Sequence, residues 1–414
     1  MKLVTSNRST MGKIRIFAWS LYDLANTLYF MNIISLYFAL WAINEMGADD
    51  AMYGNTHSIS MLVVFLLAPI LGSLSDTFKR RMPFLIVTAT ACGFMTFFLG
   101  SNGVLFSLII FGVSNILFQS GLIFYDALLP DIAGEENMGK VGGLGIGIGY
   151  LGSFIGIGVG VFFLEHVGYA GIFKMTAALF LLFAIPCFVF VKDVHPNKIP
   201  ISFNLVRDAL TQTLITIRKA SAIIELRAFL IGRLFYVDAI NTLTLFTGIY
   251  VTNDIGLTQY EVQWALLMAI GASMISAFFW GYMVDRLGPR FILKICLGIW
   301  IVVFILIYCI PVFDLHISYF WGAINLGGIA LGGTFASDRP YLVLLAPKEL
   351  VGGFFGLYSM IGRFASVIGP FIWGLTSHTL GLGRPISVLV LLSFVVFSFL
   401  LIAKYGRNPA VVSK

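Results

Sequence analysis

Charged residues are scarce in this chain. Asp, Glu, Lys and Arg make up 11% of its 414 residues, whereas hydrophobic residues make up 59%. A soluble domain is about 25% charged and roughly 45–50% apolar. The chain therefore has too few polar side chains to cover a surface that faces water, which excludes a soluble enzyme and indicates that lipid is its solvent.

Cysteines and recognisable catalytic motifs are also few. The four cysteines lie inside apolar runs without CxxC spacing, so we interpret them as small packing residues. The five histidines are scattered, and the sequence has no HExxH or Walker motif. A GxGxxG pattern at Gly147–Gly152 follows no strand and is interpreted as a face for helix packing. We expect no metal and no cofactor, and a membrane enzyme has no catalytic residues to support it.

Long apolar runs dominate the rest of the sequence. A spanning helix needs about 20 apolar residues, and we expect twelve spans, six on each side of a polar gap. The runs lie at 14–43, 56–75, 83–100, 103–128, 141–164, 171–192, 228–252, 262–284, 291–311, 316–345, 350–377 and 385–404. The predicted fold is an all-α membrane protein of two pseudo-symmetric six-helix bundles, 1–192 and 228–414.

Basic residues are concentrated on one side of these spans. The formal net charge of +6 is therefore interpreted as topology and not as a sign of nucleic-acid binding. The bias predicts that both termini are cytoplasmic, with only Lys174 and Arg384 near the opposite side. The gap at 193–227 has apolar residues at helical spacing, which predicts an amphipathic cytoplasmic linker helix at the membrane surface.

An internal repeat links the two halves. A glycine, an aspartate and two basic residues follow span 2, and the same pattern follows span 8 at an offset of 209 residues. The residues are Gly72, Asp76, Arg80 and Arg81 in the first half, and Gly281, Asp285, Arg286 and Arg290 in the second. A further match is Asp23-x-x-Asn26 in span 1 with Asp238-x-x-Asn241 in span 7. Repeated halves with a site near the midplane are a transporter architecture.

These loops resemble the G-x-x-x-D-[RK]-x-G-[RK]-[RK] signature of the major facilitator superfamily. Thr77, Lys79 and Pro289 depart from it. A closer likeness is to the vacuole-effluxer family, whose fungal members export amino acids from the vacuole. It is carried by the stretches 19–26, 124–130, 149–152, 332–339, 354–358 and 369–370. Asp338-Arg339-Pro340 stands where that family commonly has Ser-Arg-Ser, and Arg363 where it commonly has Lys.

Ionisable residues inside the spans are the candidate site residues, because they are costly in lipid and usually face the bundle interior. Arg363 and Asp238 lie about 21 and 16 Å into their spans at about 1.5 Å per residue. Arg363 is predicted to grip an anionic group of the substrate with two hydrogen bonds, and Arg339 is a second candidate. The alternative for both is a structural ion pair with an aspartate such as Asp238 or Asp338.

Asp23 and Asp238 are the candidates for proton coupling, because a carboxylate removed from water can load and release protons near neutral pH. The alternative is permanent pairing with Arg339 or Arg363. Asn26 and Asn241 follow one turn later on the same face and are predicted to bind substrate or to join helices. Asp126 is predicted to act in gating, with the eight residues of the repeated loops.

The sequence as a whole predicts a secondary active transporter that works by alternating access. The expected substrate is a small polar solute, amino-acid-like or an organic anion, with proton coupling. An exporter of amphipathic drugs is the alternative within transport, and a non-transporting receptor or scaffold on the same fold is the alternative of another class. We expect a monomer in the plasma (inner) membrane, whose partners are its substrate, protons and lipid.

Overall fold

The structure is a computed structural model that describes residues 2–78, 81–133, 138–193, 203–346 and 351–405. Its chain forms two compact units. The first comprises residues 1–48 and 63–210, and the second comprises residues 49–62 and 211–414. The predicted three-part division at 192 and 228 remains a prediction.

Helices make up the first unit almost entirely. They are α1 (Lys2–Tyr29), α2 (Tyr37–Leu40), α3 (Asp50–Phe78), α4 (Arg81–Phe97), α5 (Val104–Ala133), α6 (Met138–Phe190) and the start of α7 (Phe203–Ala222). Two π-helical segments, Phe30–Leu36 and Trp41–Glu45, continue α1 and α2. The beginning of α3, up to Leu62, belongs to the second unit.

The second unit is built the same way. Its helices are α8 (Ile224–Asn253), α9 (Gln259–Leu287), α10 (Pro289–Val312), α11 (Ser318–Leu345), α12 (Val351–Phe364), α13 (Ile368–Gly374) and α14 (Arg384–Tyr405). A π-helical segment, Leu375–Thr379, continues α13. Within this unit α8 packs against α12, α13 and α14, and α11 packs against α9 and α10.

Local sequence explains where the helices end. Gly256 has a φ of 83° after α8, a conformation that favours glycine. Thr258 then starts α9 with a reciprocal capping box, its hydroxyl accepting from the Glu261 amide while the Glu261 carboxylate accepts from the Thr258 amide. Gly288, with a φ of 84°, ends α9, and Pro289 occupies the first turn of α10, where no amide donor is needed.

The described helices fit a membrane protein. Nine of them are long and apolar enough to cross a bilayer, among the residues that the structure covers. One of the nine, Gly147–Phe190, contains a break at Gly168, whose φ of 64° and ψ of 179° are not helical. α4 is a shorter apolar helix, and α11 lies where the tenth span is predicted. The count of twelve spans therefore remains a prediction.

The glycine run of α6 packs against α1 in the first unit. A Cβ on Gly145 would lie 2.6 Å from the ring of Trp19, and one on Gly152 would overlap the carbonyl of Leu24. Any larger side chain at these positions would force the two helices apart. The run is thus a packing face, as the sequence predicts.

Different hydrogen bonds join corresponding positions in the two units. In the first, the backbone amides of Arg81 and Met82 donate to the Asp193 carboxylate, at 2.8 and 3.1 Å. In the second, the guanidinium of Arg290 donates to the carbonyls of Ile402 and Ala403, at 3.2 and 2.8 Å. Each contact joins the start of the unit's third long helix to the end of its last, and both partners recur 209 residues apart.

Candidate functional site

Three polar residues share one face of α8. Asp238, Asn241 and Thr242 are three and four residues apart, so their side chains lie one above another along the helix. Asp238 is 1% exposed and Thr242 is fully buried. A carboxylate and a hydroxyl withdrawn from solvent inside an apolar helix need partners or a function.

The helix opposite this face is broken. α12 ends at Phe364 and α13 begins at Ile368. Between them the amide of Ser366 donates to the Arg363 carbonyl at 3.3 Å, and that of Val367 to the Phe364 carbonyl at 3.0 Å. These bonds span three residues instead of four, so the backbone is locally tightened. A discontinuous helix is where transporters place substrate and ion sites.

The broken helix and α8 meet closely. The Asn241 side-chain amide donates to the Ser366 hydroxyl at 2.9 Å. A Cβ built on Gly369 would lie 3.0 Å from each oxygen of Asp238 and would overlap the hydroxyl of Thr242. We call these five residues, Asp238, Asn241, Thr242, Ser366 and Gly369, the broken-helix site.

The most buried groups of this site lack hydrogen-bond partners. Neither carboxylate oxygen of Asp238 has one among the described residues, and nor has the Thr242 hydroxyl. The Gly369 amide approaches the carboxylate without meeting the geometry of a hydrogen bond. A buried polar group without a partner costs about 1–3 kcal/mol. Permanent pairing of Asp238 with Arg339 or Arg363, the alternative that the sequence left open, is not found.

The two arginines predicted to bind substrate lie in different surroundings. Arg363 is half-buried at the end of α12, three residues before Ser366. Arg339 has an exposed side chain on α11. The broken-helix site is therefore near Arg363 along the chain, whereas Arg339 does not belong to it.

A second buried cluster lies between α8, α11 and α12. Arg233 Nε donates to Asp338 Oδ2 at 3.0 Å, and its Nη1 donates to the Tyr358 carbonyl at 3.1 Å. The hydroxyls of Tyr236 and Tyr358 also donate to the Asp338 carboxylate, and the guanidinium lies 3.5 Å from the centre of the Tyr358 ring. Arg233 is 6% exposed. Arg233 is therefore paired and buried inside the second unit.

The first unit holds the remaining two polar candidates. Asn26 is 5% exposed, and neither its amide nitrogen nor its oxygen has a partner among the described residues. Asp23 is half-buried on α1 and lies against α6, because a Cβ on Gly149 would be 2.8 Å from its Oδ2. Asp23 therefore sits on the glycine-lined contact of the two helices.

The contacts revise one correspondence between the halves. Asp23 faces Gly149 of α6, and Arg233 faces Gly362 of α12, where a Cβ would lie 3.0 Å from its Nη1. Arg233 is 210 residues after Asp23, close to the loop offset of 209, whereas Asp238 is 215 residues after it. By this offset Arg233 is nearer than Asp238 to the position equivalent to Asp23, and Asp238 lies more than one turn further along α8.

A third cluster was not predicted. Arg384, at the start of α14, donates to both oxygens of Asp50 at 2.8 and 2.9 Å and to Asp254 at 3.2 Å. Trp373 Nε1 also donates to Asp50, at 3.1 Å. Burial raises the pKa of Asp254, and the neighbouring Arg384 opposes this rise. Asp50, Asp254 and Arg384 each lie at a helix end, where charged residues are common in membrane proteins. The sequence therefore gave no indication that the three would form a cluster.

The predicted gating residues are only partly described. Arg81 pairs with Asp131 at 2.6 Å, Asp285 and Asp126 are exposed, and the Arg286 guanidinium lies 4.3 Å from the centre of the Tyr282 ring. A Cβ on Gly72 or Gly281 would meet no atom within 4 Å. The side chain of Asp76 and the whole of Arg80 lie outside the described residues. Gating by these loops stays a prediction.

Comparison with known proteins identifies relatives over most of the chain. A family model described as vacuole effluxer Atg22 like matches residues 35–408. The chain is 29% identical over 409 residues to a Bacillus subtilis (strain 168) protein named as an uncharacterized MFS-type transporter, YxiO, and the match covers 92% of each chain. It is 25% identical over 237 residues to autophagy-related protein 22-1 of Aspergillus terreus, covering 52% of this chain and 38% of that protein.

Solved structures agree on the fold. The nucleoside transporter NupG superposes with a TM-score of 0.73 at 13% identity, over 94% of this chain and 99% of that one. A D-xylose–proton symporter gives a TM-score of 0.68 at 13% identity, over 95% and 98%. At such low identity these structures establish the all-α transporter fold and not the substrate.

Proposed function

The chain belongs to the vacuole effluxer Atg22-like family and is an integral, multi-pass membrane transporter of the MFS type; we propose that it carries a small polar solute, amino-acid-like or an organic anion, by alternating access coupled to protons. The observation that carries this proposal is the broken-helix site. Its buried, unpartnered carboxylate stands opposite a discontinuous helix.

The coupling role falls to the two carboxylates of α1 and α8. Asp238 has no hydrogen-bond partner among the described residues and is 1% exposed, so its charge costs free energy unless a cation neutralises it. Such a carboxylate can respond to a cation gradient. Binding of the cation on one side of the membrane removes the free-energy cost of the buried charge, and release of the cation on the other side restores it. Asp23, half-buried on α1, is the candidate in the first unit.

The substrate role falls to Arg363, Asn241 and Asn26, with Arg339 as a further candidate on the exposed face of α11. Arg363 is half-buried next to the helix break. Its planar guanidinium can form two hydrogen bonds to a carboxylate, which the ammonium group of a lysine does not match. Asn26 has an amide nitrogen and an amide oxygen without partners in the described part of the chain, and both can hydrogen-bond to a polar solute. Zwitterions such as amino acids fit this set of donors and acceptors.

Gating is proposed for the loops that follow α3 and α9. Asp285 and Arg286 are exposed at the end of α9, where charged side chains can form and break contacts between conformations. For location, we propose the plasma (inner) membrane with both termini in the cytoplasm, on the basis of the charge bias alone. Named relatives include proteins of the vacuole-effluxer type, so a vacuole-like compartment is the competing location.

Uptake into proteoliposomes tests the function. Purified protein is reconstituted, an inward proton gradient is imposed, and accumulation of radiolabelled amino acids and organic acids is measured. We expect accumulation of at least one of them, abolished by an uncoupler that dissipates the gradient. Uptake of amphipathic dyes with no uptake of amino or organic acids would favour the drug exporter instead. If no solute exchanges across the membrane under any gradient, the protein is not a transporter of this class.

A further inference from the structure

α3 is shared between the two compact units. It is one helix from Asp50 to Phe78, yet its residues up to Leu62 belong to the second unit and those from Val63 onward belong to the first. Because the two parts are covalently continuous, a rearrangement of the first unit also acts on the start of α3. The contacts that hold this start within the second unit are therefore a point where such a rearrangement is transmitted.

Asp50 anchors the start of α3 by its side chain, and it is 3% exposed. Its carboxylate accepts two N–H donors from Arg384, at 2.8 and 2.9 Å, and one from Trp373, at 3.1 Å. Paired donors from one guanidinium are among the strong hydrogen bonds of proteins. The neighbouring Asp49 lies 3.2 Å from His378, in a pair that is more exposed to solvent and contributes less.

The backbone at this point is packed as closely as the side chains. A Cβ on Gly54 would lie 2.5 Å from the carbonyl oxygen of Pro370, and a Cβ on Gly374 would lie 2.6 Å from the Cα atom of Ala51. One glycine belongs to α3 and the other to α13, so each helix omits a side chain where the other approaches. We call residues 50–54, which include these contacts, the α3 strap.

The partner of the α3 strap is the second part of the broken helix. α13 spans only Ile368–Gly374. Its first turn contains Gly369, whose backbone packs on Asp238, and its last turn contains Trp373, which donates to the strap. The Trp373 ring also stacks on the ring of Phe246 in α8, with centroids 4.7 Å apart. The strap and α8 thus hold α13 between them, in the position where Gly369 covers Asp238.

We propose that the α3 strap is a gate for the broken-helix site. While the strap is docked, α13 keeps Gly369 over Asp238. When the strap leaves, α13 is released and the site opens toward the side of the membrane opposite the termini, where the charge bias places Arg384. Asp50 is then a positioning residue, which acts through Trp373. This inference rests on the proposed transport function, and it adds a gate at the end of the spans opposite the loops that follow α3 and α9.

Arg384 provides a matched comparison, because it binds two carboxylates. It donates to Asp50 in the strap and, at 3.2 Å, to Asp254 after α8. Asp50→Asn and Asp254→Asn each remove one of these charges and leave the other to neutralise the guanidinium, so neither strands a buried cation. A purely structural role of the cluster makes the two variants alike. A gate distinguishes them, because only Asp50 belongs to α3.

Labelling of one engineered cysteine tests the gate. Ser366→Cys places a thiol in the broken-helix site, in a full-length parent chain whose four native cysteines are replaced by serine. Intact cells are treated with a membrane-impermeant maleimide, and the rate of labelling is measured. We expect slow labelling in this parent chain and in its Asp254→Asn variant. Asp50→Asn should label about tenfold faster, because the hydrogen bonds that hold the docked state are lost.

A pair of glycine variants provides a second test that leaves the charges unchanged. Gly54→Ala places a methyl group against the Pro370 carbonyl, so it should separate the strap from α13 and accelerate labelling as Asp50→Asn does. Gly322→Ala makes the same change in α11, where a Cβ meets no atom of the described residues within 4 Å, and should label at the rate of the parent chain. A melting curve of each purified variant confirms that it is folded.

Two outcomes would overturn the gate. They are equal rates in the two aspartate variants, and a parent chain that already labels as fast as Asp50→Asn. Uptake driven by a proton gradient in proteoliposomes would then still support the proposed function, because the labelling involves no solute. Faster labelling of Asp50→Asn in a protein that transports no solute would instead reject the function and leave the gate standing.

Discussion

Arg233 and Asp338 form an ion pair inside the second unit, with Nε 3.0 Å from Oδ2 and side-chain exposures of 7% and 0%. Two tyrosine hydroxyls complete the bonding of the carboxylate. The pair neutralises itself and needs no ligand. Asp238, five residues along α8 from Arg233, is buried as deeply and has no such partner. These two aspartates should therefore respond oppositely to neutralisation.

Neutralising Asp338 should destabilise the protein. Asp338→Asn strands the buried guanidinium of Arg233, and breaking a buried pair in this way costs about 3–5 kcal/mol. We expect a large fall in melting temperature in detergent, measured by thermal unfolding of the purified protein. Asp285→Asn is the control, because this exposed carboxylate on α9 should change the melting temperature little. Equal melting temperatures for Asp338→Asn and wild type would show that the pair does not stabilise the fold.

Neutralising Asp238 should spare the fold and remove coupling. Asp238→Asn strands no cation, so the melting temperature should stay close to that of the wild type or rise. Accumulation driven by an ion gradient should be lost while exchange of substrate across the membrane persists, because exchange needs no net movement of the ion. Asp314→Asn is the matched control, since Asp314 is exposed and its φ of 48° suits asparagine equally well.

The same comparison applied to Asp23→Asn tests the first unit. Loss of accumulation with preserved exchange would place coupling at Asp23 as well. Undiminished accumulation in both Asp23→Asn and Asp238→Asn would remove the two carboxylates from the coupling mechanism.

Gly369→Ala should disable the broken-helix site. Its new methyl group would press on both Asp238 oxygens and the Thr242 hydroxyl, so transport should fall by about tenfold or more for a loss of 1.4 kcal/mol or more. Gly271→Ala makes the same change in α9, where a Cβ meets nothing within 4 Å, and should leave the rate unchanged. The measurement is the initial rate of solute uptake. Similar rates for the two alanine variants would show that the close approach at Gly369 has no role in transport.

Arg363 should determine which substrate charge is accepted. Arg363→Lys keeps the positive charge but loses the planar pair of donors, so the apparent affinity for an anionic or zwitterionic substrate should fall while the protein stays folded. Arg363→Ala should abolish that binding. Affinity is measured as the KM of uptake, and a melting curve of each variant serves as the control for folding. Unchanged KM in Arg363→Ala would make the residue structural.

Asp254 should make stability depend on pH. Burial raises its pKa in the folded state, although Arg384 opposes the rise, so the native protein binds a proton more tightly than the unfolded chain does. Its contribution to stability is therefore present at acid pH and is lost as pH increases from about 3.9, the ordinary value for aspartate, through the raised folded pKa. The difference in melting temperature between wild type and Asp254→Asn should decrease over this window. A difference that grows with pH would contradict the assignment.

The sequence alone was sufficient for the fold class. Apolar runs of about 20 residues indicate helices that span a lipid bilayer. The loop motifs that follow spans 2 and 8 repeat at an offset of 209 residues, which indicates two related halves. Local sequence also determines where α9 ends and α10 begins. Gly288 ends α9, and Pro289 lies in the first turn of α10, where proline is favoured. Asp238 and Asn241 were singled out from sequence because a polar pair in an apolar span is conspicuous, and their roles stay predictions.

Only the tertiary structure decided which buried charged residues form ion pairs with each other. The sequence does not separate Arg233 from Asp238, because both are single charges in the same apolar helix. In the described part of the chain Arg233 is paired and Asp238 is not. The difference is set by which helix faces each of them. α11 brings Asp338 to Arg233, whereas the segment at Gly369 brings backbone to Asp238, whose oxygens have no hydrogen-bond partner among the residues that the structure covers. Helical period places residues on a face, but distance across the interface between helices determines which charges are neutralised and which remain available to a ligand.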